Sequence, residues 1–128
     1  MAAPLRVVVA DDDDVLRDLL VLNLEAEGLV VYEAADGARA LQLIAEQRPD
    51  LVVLDVMMPK FDGLAALRAL KGEQITSKIP IVLLTARAGE DEIQEGWAAG
   101  ADYYLTKPFR VEELLDLVNE LTPSPQPC

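Results

Sequence analysis

The chain has 128 residues, 52% of them hydrophobic, which is typical of one globular domain and argues against an intrinsically disordered chain. Its 11 Lys and Arg against 23 Asp and Glu give a formal charge of −12, so this domain is a poor direct binder of nucleic acid or of an anionic membrane surface. The sequence has no histidine and one cysteine, at position 128, which excludes histidine-based catalysis, a zinc-type site and an internal disulfide.

Apolar runs are short throughout the chain. The run Leu5–Ala10 already contains Arg6, and no run approaches the length of a membrane span. The first residues lack the basic segment and long apolar segment of a secretory signal. We therefore expect a cytoplasmic protein that does not contact membranes.

Five runs rich in β-branched and apolar residues predict strands. Those containing Val7–Val9, Leu51–Leu54 and Ile81–Leu84 are apolar without alternation, as expected for strands covered on both faces. The predicted strands are Leu5–Ala10, Val30–Ala34, Leu51–Asp55, Ile79–Leu84 and Asp102–Leu105.

A helical pattern follows each predicted strand, with apolar residues recurring three and four positions apart. Capping residues and glycines suggest where these helices begin and end. The expected helices are one capped by Asp14 and stopped by Gly28, one opened by Asp36 or Gly37, one from Asp62 to near Gly72, one over Glu90–Ala99 and one over Val111–Leu121.

Strict alternation of strand and helix predicts a parallel sheet with right-handed crossovers and helices on both faces. Five such units indicate a doubly wound α/β sandwich of flavodoxin-like strand order 2-1-3-4-5, with five helices. This domain is expected to cover residues 1–121. The segment 122–128 has three prolines and is expected to be a flexible tail or the stump of a linker.

Polar side chains follow the predicted strands where ligands bind in such sheets, beyond the carboxyl ends. The first strand runs into Asp11 and Asp12, the third ends at Asp55, the fourth runs into Thr85 and the fifth into Lys107. Because the first and third strands are neighbours in this order, three carboxylates should converge, and they would repel one another without a cation. An all-oxygen site of this kind suits Mg²⁺, or alternatively Mn²⁺.

These motifs resemble the receiver domain of two-component response regulators, similar to the chemotaxis regulators. The resemblance covers essentially the whole of residues 5–121. It is carried by the pair Asp11-Asp12, by Asp55-Val-Met-Met-Pro59 with Gly63, by Thr85-Ala86, and by Tyr104-Leu-Thr-Lys107-Pro108-Phe109.

The resemblance implies a role for each site residue. Asp55 would accept a phosphoryl group. The protein would catalyse its own phosphorylation and dephosphorylation at Asp55, with Lys107 and Thr85 as the other catalytic residues. The Mg²⁺ ligands would be Asp11, Asp12, Asp55 and the backbone carbonyl of Met57. A compact ammonium and a hydroxyl suit contacts to phosphoryl oxygens.

The resemblance also implies partners and a switching surface. Donors would be a sensor histidine kinase, a phosphotransfer protein or a small acyl phosphate, and the output would be a downstream protein, an output domain or a homodimer formed on phosphorylation. Thr85 and Tyr104 would form the switch. The partner surface on the fourth helix, fifth strand and fifth helix would include Ile93, Trp97, Leu115 and Leu117, although Trp97 packing into the core is an equal alternative.

Two rival functions fit parts of the sequence. A haloacid-dehalogenase-type phosphatase would use Asp11 as nucleophile, because residues 11–15 match its first motif. The acids that follow Lys107 all fall in the last helical pattern, and the Asp55–Pro59 segment would be unexplained. A flavin-binding module is disfavoured because four aspartates stand where an anionic phosphate would bind. Whether the chain acts alone or as part of a longer regulator stays open.

Overall fold

The computed structural model describes residues 4–55, 57–58, 61–73, 78–85, 101–107 and 109–121. Its main strands are β1 (Arg6–Ala10), β2 (Val30–Ala34), β3 (Leu51–Asp55), β4 (Ile81–Thr85) and β5 (Tyr103–Thr106). Its helices are α1 (Asp14–Ala26), α2 (Gly37–Gln47), α3 (Gly63–Gly72) and α4 (Val111–Leu121). The predicted helix over 90–99 and the segment 122–128 lie outside the described residues.

All five predicted strands are present, in one parallel sheet of order β2-β1-β3-β4-β5. The predicted order 2-1-3-4-5 is therefore confirmed. The bounds of β4 and β5 move by one or two residues from those predicted. Asp102 stays outside β5 because its carboxylate caps the neighbouring strand.

The sheet separates two apolar clusters, because successive residues of a strand point to opposite faces. One face packs on α2 and α3, and the other packs on α1 and α4. The first cluster includes Val8, Val52, Leu83, Ile44 and Leu70; the second includes Val9, Val53, Leu84, Leu24 and Leu114. This three-layer packing places the ends of the central strands between the helices.

The N-terminus of α1 differs from the prediction. Asp13, not Asp14, is the N-cap, and its Oδ1 accepts hydrogen bonds from the backbone N–H groups of Val15 and Leu16 at 3.0 and 3.1 Å. Asp14 is the first helical residue, where a carboxylate is favoured by the helix dipole. The other end agrees with the prediction, because Gly28 has φ 88° and follows directly after the helix end.

Two aspartates fix the amino-terminal edge of the sheet in the same way. Asp50 precedes β3; its Oδ2 accepts from the Arg6 N–H, and its own N–H donates to the Arg6 carbonyl, both at 2.8 Å. Asp102 precedes β5 and makes the same pair with Ile81, at 2.8 and 2.9 Å. Asp102 also lies 2.9 Å from Lys71 Nζ, which links α3 to this edge.

We expect Asp102→Ala to lower the free energy of unfolding by about 1–2 kcal/mol, because the Ile81 N–H loses its acceptor. Urea denaturation measures this change. Asp102→Asn is the matched control: it keeps an acceptor oxygen and loses only the partly exposed charge pair with Lys71. An equal loss in both variants would show that the ion pair, and not the strand cap, stabilises this edge.

No helix in the described part of the chain is both long enough and apolar enough to cross a bilayer.

Candidate functional site

The carboxyl edge of the sheet collects the buried polar residues. Asp11, Asp55 and Thr85 are 0%, 4% and 1% exposed, and they are the buried polar or charged residues among those whose side chains the structure describes. They come from the ends of β1, β3 and β4, as the sequence predicts. Burial of two carboxylates so close together is unfavourable unless cations join them, so this edge is built for a purpose other than stability.

Lys107 supplies one cation. Its Nζ lies 2.9 Å from Asp11 Oδ2 and 3.2 Å from Asp55 Oδ2. Burial lowers the pKa of the Lys107 ammonium, but the hydrogen bond to Asp11 and the charges of Asp55 and Asp11 outweigh burial and raise this pKa above its ordinary value. The lysine is therefore charged at neutral pH and bridges the two strand ends.

Lys107 is brought to the site by β5. Thr106 pairs in register with Thr85, and the Lys107 N–H donates to the Thr85 carbonyl at 2.6 Å. The ammonium and the Thr85 residue thus approach the same edge from adjacent strands. The sequence-predicted grouping of Asp11, Asp55, Thr85 and Lys107 is what the structure brings together.

The metal prediction concerns three carboxylates. Asp11, Asp12 and Asp55 each place an oxygen within 4.8 Å of the others, with Asp12 exposed and the other two buried. These are all hard oxygen donors, one of them on an exposed residue, and this donor set fits Mg²⁺. The fourth predicted ligand, the Met57 carbonyl, stays a prediction: Met57 pairs with Asp62 in a short antiparallel ladder after β3.

The other two aspartates of the acidic run, Asp13 and Asp14, make contacts at the N-terminus of α1. Asp13 caps α1, and its N–H donates to Asp11 Oδ1 at 2.9 Å. Asp14 Oδ1 lies 2.6 Å from Arg17 Nη2. In the phosphatase reading, Asp13 would be the second acid of the catalytic motif, but its carboxylate is occupied by the helix N-terminus. The geometry therefore does not support the phosphatase alternative.

The predicted switch residues differ in their surroundings. Tyr104 is 9% exposed and packs in the apolar cluster with Ile81 and Leu83. In this structure the Tyr104 ring therefore lies inside the core. The exposed tyrosine of β5 is Tyr103, at 41%.

The predicted partner surface is only partly described. Ile93 and Trp97 lie outside the described residues. Leu115 is partly buried, and Leu117 is 6% exposed and belongs to the core between the sheet and α4. The expectation that Leu117 offers an exposed contact is therefore corrected: the apolar stripe of α4 faces the sheet.

An exposed apolar stripe lies instead on α1, close to the site. Val15, Leu19 and Leu22 are 80%, 44% and 67% exposed. They are three to four residues apart and so share one face of the helix. The sequence does indicate this second apolar face, because α1 has more apolar positions than one buried stripe contains.

Arg17 is a further residue at the site, and no sequence motif indicated it. Its Nη1 donates to the Asp11 carbonyl at 2.8 Å, and its Nε donates to Glu33 Oε1 at 3.2 Å. Because Glu33 lies on β2, 16 positions along the chain, no local motif around the acidic run encodes this contact.

Comparison with known proteins agrees with this geometry. Residues 7–119 match the family model described as response regulator receiver domain. The response regulator MprA of Mycobacterium sp. (strain KMS) is 50% identical over 112 residues, which cover 88% of this chain and 48% of that protein. The DNA-binding dual master transcriptional regulator RpaA of Synechocystis sp. is 41% identical over 116 residues, covering 91% of this chain and 48% of its own. The chain thus spans about half the length of these relatives.

A solved structure shows the same fold. The chemotaxis protein CheY4 of Vibrio cholerae superposes with a TM-score of 0.87 and 33% identity, over 93% of this chain and 99% of that one.

Proposed function

The chain belongs to the response regulator receiver family of two-component systems, and from this premise we propose that Asp55 is its phosphoacceptor. The observation that supports this most is the burial of Asp55 beside Asp11 and Lys107 at the end of the central strand. A carboxylate at the middle of the edge is reached by groups from the strands on both sides.

The proposed step is transfer from a phosphohistidine of a sensor kinase or phosphotransfer protein, or from a small acyl phosphate. An Asp55 oxygen forms a bond to phosphorus while the bond from phosphorus to the donor breaks, and the donor leaves with that electron pair. Lys107 and Thr85 contact oxygens of the transferred group and hold its developing charge.

Asp11, Asp12, Asp55 and the Met57 carbonyl would hold Mg²⁺, or Mn²⁺ in its place. What a bound ion supplies is neutralisation of charge on the phosphoryl oxygens. The protein's own part is to keep these oxygens on rigid strand ends, with Lys107 balancing two of the carboxylates beforehand.

Acetyl phosphate with Mg²⁺ tests the proposal. We expect the intact protein to gain the mass of one phosphoryl group, and rapid peptide mapping after acid quench to place that group on Asp55. Asp55→Asn should abolish the gain, whereas Asp36→Asn, at the exposed cap of α2, is the matched control and should keep it. A phosphoryl group on Asp11 would instead support the phosphatase alternative.

The proposed partner is a kinase or phosphotransfer protein in the cytoplasm. The α1 stripe of Val15, Leu19 and Leu22 supports such a contact, because α1 begins directly after the acidic run and its apolar face is exposed. A protein seated on this stripe would lie beside Asp55. We further propose that residues 1–121 form the receiver and that 122–128 is a tail or linker.

The proposed output is a conformational switch through Thr85 and Tyr104 that changes the surface of the predicted helix over 90–99, β5 and α4. It would act on a downstream protein, an output domain or a second copy. RpaA is a DNA-binding regulator by name, and in this chain the charge of −12 favours an output through protein contacts.

We expect beryllofluoride with Mg²⁺, a phosphoryl mimic, to change the fluorescence of Trp97, the chain's single tryptophan. Thr85→Ala should remove most of this change, because the mimic loses the hydroxyl that links it to β4. Thr106→Ala, next in register on β5, is the matched control. If the emission is unaltered while beryllofluoride is bound at Asp55, Trp97 is not part of the switching surface.

A further inference from the structure

Arg17 joins three parts of the molecule around the acidic loop. Its guanidinium donates to the Asp11 carbonyl at 2.8 Å, to Asp14 Oδ1 at 2.6 Å and to Glu33 Oε1 at 3.2 Å. The side chain is only 11% exposed. One planar guanidinium therefore holds together the loop after β1, the first turn of α1 and strand β2. The ammonium of a lysine could not make the same set of contacts.

The contact to the Asp11 carbonyl has a consequence for Asp12. The peptide between these residues is planar, so holding the carbonyl oxygen on one side fixes the orientation of the whole Asp11–Asp12 unit. Both oxygens of the Asp11 carboxylate also accept hydrogen bonds, Oδ1 from the Asp13 N–H and Oδ2 from Lys107 Nζ. Asp12 is exposed, so packing does little to fix its direction, and its peptide is fixed through Arg17.

We propose that Arg17 is a positioning residue for the divalent-cation site. By holding the Asp11 carbonyl, it sets the direction from which the Asp12 carboxylate joins those of Asp11 and Asp55. This inference rests on the proposed function, because it requires that the three carboxylates bind Mg²⁺.

The charge of Arg17 alone predicts the opposite change in Mg²⁺ affinity, so a measurement of affinity tests the proposal. A positive charge next to a cation site repels the cation, so removal of Arg17 should strengthen Mg²⁺ binding if the residue acts only as a charge. Loss of a positioning contact should instead weaken binding, since groups that orient metal ligands typically contribute about tenfold or more in affinity.

Calorimetric titration of the whole chain with Mg²⁺ alone measures the effect. We expect Arg17→Gln to bind Mg²⁺ about tenfold more weakly than the wild type. Arg17→Lys, which keeps the charge but lacks the fork, should also bind more weakly. Arg39→Gln removes an exposed arginine from α2 and is the matched control; its affinity should be unchanged. Circular dichroism in chelator establishes that each variant is folded.

Equal or tighter Mg²⁺ binding by folded Arg17→Gln would overturn the inference. If Arg17→Gln does not fold, Arg17→Lys decides by the same criterion. Wild type that binds no Mg²⁺ would overturn the inference together with the proposed metal site. Wild type that binds Mg²⁺ and is phosphorylated on Asp55, while both Arg17 variants bind equally well, would overturn this inference alone.

Discussion

Lys107→Met is expected to lower the free energy of unfolding in chelator by about 3 kcal/mol, because it leaves two buried carboxylates without their shared cation. Methionine keeps the apolar stem and loses the charge. In a domain of this size the loss corresponds to a fall in melting temperature of roughly 10 °C. We also expect Mg²⁺ to restore a larger share of stability in this variant than in the wild type, since the ion would meet the same carboxylates with no ammonium beside them.

Thermal melts with and without Mg²⁺ measure both effects. Lys78→Met changes an exposed lysine at the opposite edge and is the matched control; it should melt as the wild type does. A Lys107→Met protein as stable as the wild type in chelator would mean that the bridge to Asp11 and Asp55 contributes nothing in solution.

Asp12→Asn is expected to reduce phosphorylation of Asp55 by acetyl phosphate by two orders of magnitude or more, because it removes a ligand of the proposed metal. The same change should not destabilise the metal-free protein. Asp12 is exposed and close to two other carboxylates, so its neutralisation relieves like-charge repulsion. The wild type should gain several degrees of melting temperature in millimolar Mg²⁺, and this gain should be lost in the variant.

Asp18→Asn, on the exposed part of α1, controls for the change in net charge and should keep the full response to Mg²⁺. If Asp12→Asn melts lower than the wild type in chelator, then the three carboxylates are not in unfavourable proximity. If it is phosphorylated at the normal rate, Asp12 is not a metal ligand.

The sheet was predictable from the sequence because its central strands are buried on both faces. Runs such as Leu51–Leu54 are apolar throughout, and their alternation with helical patterns leaves few topologies. Once strand order is known, the ends of β1, β3, β4 and β5 must meet at one edge. The grouping of Asp11, Asp55, Thr85 and Lys107 therefore needed no knowledge of side-chain contacts.

Other features depend on contacts that no local pattern encodes. Four successive aspartates can each cap a helix, so sequence could not decide between Asp13 and Asp14. Arg17 is one of several charged residues on α1 until its contact with Glu33 on β2 is seen. Leu117 was assigned to a surface from family resemblance, but the rotation of α4 on the sheet turns it inward.

The two capped strand starts at the other edge of the sheet have a dynamic consequence. Asp50 and Asp102 tie β1 to β3 and β4 to β5 through paired backbone hydrogen bonds that phosphorylation does not touch. At the carboxyl edge, by contrast, Lys107 must share its carboxylates with any incoming ion or phosphoryl group. Phosphorylation should therefore displace side chains at the carboxyl edge more than the backbone at the amino-terminal edge of the same strands. In hydrogen exchange, the Arg6 and Ile81 amides should keep their protection in both signalling states.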